Sequence, residues 1–88
     1  MAKYRKRPVV IDAVKFQYNQ ESLDKIELEL GLDPIRVNFE QNKPQLIIST
    51  LEGEMRCDVG DYIIRGVKGE FYPCKADILE LTYEKLED

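Results

Sequence analysis

Between residues 61 and 72 the chain gathers the side chains best suited to hold a ligand: Asp61, Tyr62, Arg65, Lys68, Glu70 and Tyr72. Tyrosine rings stack on bases or sugars, and Arg and Lys pair with phosphate, so this set would suit a nucleotide-sized molecule. Side chains alternate along a strand, which sends Tyr62 and Arg65 to opposite faces, so convergence of the whole set would require a bulge or a strong twist. Gly60-Asp61-Tyr62 also has a structural reading. Asp61 accepts N–H groups of its own turn, and Gly60 supplies a conformation that other residues avoid.

Acid–base chemistry needs two carboxylates in one cleft, and Asp58, Asp61 and Glu70 form the cluster nearest a turn. With 17 acidic residues among 88, such a cluster is expected by chance, and no catalytic residue is assigned. Cys74 lies between Pro73 and Lys75 ahead of the last element. A helix N-terminus and a neighbouring cation there would lower its thiol pKa toward a reactive thiolate. Without a His base or a Cys-x-x-Cys partner, packing is its expected role, and Cys57 is expected to pack within a hairpin strand. Two cysteines seventeen residues apart and no histidine make no metal site, and no cofactor is expected.

These residues sit on two cassettes of one design, Leu51-Glu52-Gly53-Glu54-Met55-Arg56-Cys57 and Val67-Lys68-Gly69-Glu70-Phe71-Tyr72-Pro73-Cys74. Each reads as a hairpin with Gly at the second central turn position, where a type I′ or II turn takes a positive φ. Leu46–Leu51 with Glu54–Cys57 form the first hairpin and Tyr62–Val67 with Glu70–Tyr72 the second, and Asp58-Val59-Gly60-Asp61 turns between them. Upstream, Pro8–Phe16 is β-branched and apolar on both faces, the pattern of an interior strand.

Asn19 is placed to cap a helix of about eleven residues carrying Leu23, Ile26 and Leu30 on one side, with Gly31 as its stop. Asp33-Pro34 is a loop, Ile35–Glu40 alternates like a half-exposed strand, and Gln41–Pro44 breaks it. At the C-terminus Leu79, Leu81 and Tyr83 alternate like a strand, while Leu79, Tyr83 and Leu86 keep helical spacing. Asp77 with Glu80 resembles a capping box and favours a short helix. The predicted fold is α+β: a small antiparallel hairpin meander, with one helix after the first strand and a second at the C-terminus.

Eighty-eight residues, 43% hydrophobic and 34% charged, make one globular domain over residues 1–88 with a modest core. A net charge of −4 weighs against general nucleic-acid binding. The charge is polarised, however. Lys3, Arg5, Lys6 and Arg7 make residues 1–7 a basic arm, whereas the last twelve residues are acidic. The arm with Tyr4 would grip a phosphate backbone locally, or it would guard a strand edge, or it would attract the acidic end of the same or another copy. No apolar run reaches the roughly 18 residues of a membrane span and no signal-peptide core precedes Pro8, so a cytoplasmic chain with reduced thiols is expected and no membrane partner.

Residues 59–75, Val-Gly-Asp-Tyr-Ile-Ile-Arg-Gly-Val-Lys-Gly-Glu-Phe-Tyr-Pro-Cys-Lys, together with Tyr4-Arg5-Lys6-Arg7-Pro8-Val9 and Thr82-Tyr83-Glu84, resemble a family of small phage and prophage proteins with a Gly-Asp-Tyr core, similar to the Pro-Gly-Asp-Tyr-Gly (PGDYG) type. Val59 and Ile63 stand where that signature has Pro and its second Gly. The resemblance implies a bacterial or phage setting and carries over no reaction and no catalytic residue. Three functions follow as expectations. The first is a non-enzymatic accessory protein that contacts a protein partner or itself, as a homodimer. The second is a small-ligand, nucleotide-like binder using the residue 61–72 set. The third is nucleic-acid binding through the arm.

Overall fold

A helix begins where Asn19 stops the chain from continuing β1 (Asp12–Lys15): its side chain accepts the Ser22 N–H at 2.8 Å, and α1 (Gln20–Lys25) follows, with Glu21 in the first turn. In the computed structural model, which describes residues 1–5, 7–33, 36–39 and 43–86, α1 continues through one π-helical turn, Ile26–Leu30, and ends at Gly31. The positive φ of Gly31, 77°, reverses the chain, and Leu32 turns back against the core. Then come β2 (Val37–Asn38), β3 (Gln45–Thr50), β4 (Gly53–Asp58), β5 (Tyr62–Arg65), β6 (Phe71–Cys74) and α2 (Ala76–Thr82). The order β-α-β-β-β-β-β-α and the α+β class are those predicted. Of the predicted strand Ile35–Glu40, Val37 and Asn38 pair with β3, while Ile35 and Glu40, like Pro34, Gln41 and Asn42 of the adjoining loops, lie outside the described residues.

The meander is divided. β2, β3 and β4 make one antiparallel sheet, and β1, β5 and β6 make another with β5 in the middle. β1 pairs with β5 from Asp12↔Arg65 to Lys15↔Tyr62, and the Gly60-Asp61 turn extends this pairing: Gly60 N–H donates to Phe16 O and Phe16 N–H to Asp61 O, both at 2.8 Å. Val14, Phe16 and Ile63 of this sheet close on Ile26 and Leu30 of the first helix and on Leu46, Ile48 and Cys57 of the other sheet. Ile64, on the opposite face of β5, is also buried. β5 is therefore the strand covered on both sides, whereas β1, whose segment reads as interior from its sequence, is an edge strand, and Val9 and Val10 just upstream of it are exposed.

Both hairpins form, with the glycines one position later than predicted. Thr50 pairs with Gly53 across Leu51-Glu52. At the second turn Gly69 N–H bonds to Gly66 O and Gly66 N–H to Glu70 O, the pattern of a type I turn closed by a left-handed glycine. Gly53 and Gly69, at φ 99° and 80°, thus follow the two turn residues. The C-terminal element is a helix, but not through the Asp77/Glu80 capping box: its N-cap is Lys75, and Asp77 lies within the first turn, accepting the Ile78 N–H at 2.9 Å.

Candidate functional site

Strand alternation distributes the six ligand-binding candidates over two faces and a hairpin tip. Tyr62 and Tyr72 share a face with Ile64 and Cys74, Tyr62 standing opposite Cys74 and Tyr72 opposite Ile64 across β5 and β6. The Tyr72 phenol meets that of Tyr83, and burial, with Tyr83 next, raises its pKa. Arg65 lies on the other face, where Nη2 binds Asp12 Oδ2 at 2.5 Å and Nη1 donates to Leu30 O at 3.3 Å, tying the end of the first helix to the sheet. Lys68 is exposed at the tip, and its backbone N–H donates to Glu70 Oε2 at 3.1 Å. Asp61 faces Lys75. The six do not meet in one cleft.

Asp61 belongs to a polar joint between the two sheets. Lys75 Nζ donates to Asp58 Oδ2 at 2.8 Å and to Asp61 Oδ2 at 2.7 Å, and Gln45 Nε2 donates to Asp58 Oδ1 at 2.6 Å. Asp58 closes β4, Asp61 opens β5 and Lys75 follows β6, so one ammonium group holds the ends of three strands. The Lys75 bond, then that from Gln45, holds Asp58 below the usual carboxylate range, and the two carboxylates raise the pKa of Lys75. With both carboxylates bonded to one ammonium group, the joint is a staple between strand ends. Sequence reasoning named Asp58 and Asp61 but missed Lys75 as their partner, because nothing local distinguishes it among 13 Lys and Arg residues.

The expected lowering of the Cys74 pKa is reversed. Burial, followed by Asp61 and Asp77, raises it, while the Lys75 ammonium is spent on the two carboxylates. Cys57 is completely buried in the core, and burial pushes its thiol up to about 12. Both are free thiols.

The feature that sequence reasoning did not anticipate is a groove along the free edge of β1. Residues 9–15 form one wall, Leu79, Tyr83 and Leu86 stand on the other, and the charged lining is mixed, Asp12, Glu21, Glu29, Glu80 and Glu84 against Lys15, Lys25 and Lys85, with Lys25 paired to Glu21 at 3.8 Å. The backbone of Phe16 is bonded on the β5 side, so by alternation Asp12 and Val14 also face β5, whereas Ala13 and Lys15 turn their N–H and C=O groups to the groove. Ser22, the buried polar side chain of the first helix, closes one end: its Oγ donates to Lys15 O at 2.8 Å and accepts the Gln17 N–H at 2.9 Å. The only signal for the groove was the two-faced apolar pattern of Val9–Phe16, which reads equally as an interior strand.

Fold and site together define a small α+β domain with two three-stranded antiparallel sheets, one of which has an open, apolar edge. No family model, curated protein or solved structure matches the chain. Among the described residues no helix is long and apolar enough to cross a membrane, and no group of three or more metal-ligating side chains is assembled.

Proposed function

We propose that the chain is a non-enzymatic accessory protein of phage or prophage type, cytoplasmic in a bacterial host, that works by binding polypeptide and in the first place another copy of itself. The observation that carries this reading is the position of β1 at a sheet edge, continued upstream by the apolar run Val9–Ile11 with Val10 74% exposed. A strand of that composition is stable in water when a further strand covers it, and a core of this size gains stability from the added burial. The groups that would otherwise suggest chemistry have structural partners: Asp58 and Asp61 hold Lys75, and Arg65 holds Asp12 and Leu30. The sequence resemblance supports the phage setting.

Melting curves over a series of protein concentrations, with and without nucleotides, test the reading. Self-association makes the melting temperature climb with protein concentration and leaves it indifferent to nucleotide. A concentration-independent melting temperature that a nucleotide raises would replace this reading with the small-ligand one.

A further inference from the structure

Resting on that self-association reading, we infer that two copies join through β1 in antiparallel register about Ile11, so that their three-stranded sheets merge into one continuous sheet. The other sheet edges carry the usual protections against strand addition. β2 is two residues long, β4 exposes the charged Glu54 and Arg56, and β6 contains Pro73 and lies against β3 and β4. The outer edge of β1 lacks these defences except at its ends. Ser22 occupies the carbonyl of Lys15 at one end, and at the other Pro8, whose missing N–H falls on the β5 side by the same alternation, interrupts the regular strand. β1 itself spans Asp12–Lys15, so the pairing would extend the strand upstream over Val9–Ile11; continuing its alternation sets Val9, Ile11 and Ala13 outward, with Ile11 at the centre.

A two-fold axis at Ile11 sets Val9 of one copy opposite Ala13 of the other, which makes the contact isologous and closed at two copies. The side chains of Val9, Ile11 and Ala13 from both copies then form one apolar strip that continues onto the Tyr62 face of the sheet. Beyond Pro8 the pairing stops, and the arm carrying Lys3, Arg5 and Arg7 enters the partner's groove beside Glu21, Glu29, Glu80 and Glu84. On balance the groove, with five carboxylates against three lysines in its lining, is opposite in charge to the arm, which favours a second copy over an unrelated strand as the occupant.

Two full-length variants test the register. Ala13→Pro removes an outward N–H that β5 does not use, so it is expected to sediment as a monomer while keeping the wild-type circular dichroism. Ile11→Cys, in a Cys74→Ser background, is expected to cross-link to twice the chain mass with a short bismaleimide, and Leu51→Cys at the first hairpin tip to remain a single chain. If Ala13→Pro fails to fold, the cross-linking pair alone decides. A folded Ala13→Pro dimer, or cross-linking at residue 51 and not at 11, overturns this interface and leaves self-association standing. A wild-type chain that is monomeric at every concentration overturns both.

Discussion

Gly66 is fixed by a side chain rather than by its own backbone. A Cβ there would stand 1.7 Å from Glu70 Oε1, because the Glu70 carboxylate folds over the turn to accept the Lys68 N–H. Gly66→Ala therefore expels that carboxylate. In chemical denaturation Gly66→Ala and Glu70→Ala should each cost about 1 kcal/mol, and the double variant hardly more than one of them, whereas additive losses would contradict the shared contact. Cys57 leads to a second residue-level prediction. Its thiol ordinarily titrates at 9.0 and is pushed to about 12 in the fold, so above pH 9.0 the unfolded chain gives up a proton that the folded chain keeps. Stability falls as pH rises through that window, and Cys57→Ala, although less stable at neutral pH, should show a shallower alkaline decline in melting temperature. At this scale much was readable from sequence. Asn19 as a cap, Gly31 as a stop and Cys57 as a packing residue depend on neighbours a few positions away, whereas the Lys75 partnership with Asp58 and Asp61 spans fourteen residues or more and leaves no local trace.

Between elements, the two hydrogen bonds of Ser22 and the Lys75 staple hold the edges of the architecture. Ser22→Ala leaves Lys15 O and the Gln17 N–H without their partner at the buried join of helix and strand, an expected loss of about 1–3 kcal/mol by thermal or chemical unfolding. The staple makes a pH prediction. Because the folded pKa of Asp58 lies below its ordinary 3.8, its contribution is complete above that value and is lost as pH falls through the folded one. Lys75→Met should raise the pKa of Asp58, followed by carboxyl-carbon NMR, and start acid unfolding at higher pH. An unchanged Asp58 titration would contradict the staple. The elements themselves and their order followed from the Asn19 cap, the turn glycines and the alternation of the strands, although the glycines sit one position later and the last helix begins at Lys75 without the Asp77 cap. Their grouping into two sheets did not, because a strand's alternation says which faces it buries and not which strand lies beside it. The insertion of β1 next to β5 joins residues about fifty apart, and it moved the two-faced strand from the expected interior to an edge.

For the whole molecule, the proposed consequence of that edge is association. The same period of two that scatters Tyr62, Arg65 and Tyr72 over both faces of the sheet turns Ile11 and Ala13 outward along one line, so the fold disperses the nucleotide-like set and concentrates a strand-pairing one. Deleting residues 1–7 should weaken the proposed dimer and reduce its salt dependence, since in that arrangement the basic arm and the groove's excess of carboxylates supply the screened part of the attraction. The most direct measurement is sedimentation equilibrium of the full chain from low to high micromolar concentration. The β1 edge predicts a weight-average mass that rises from the 10.3 kDa of one chain toward twice that value and stops there. A mass that stays at 10.3 kDa throughout would contradict it.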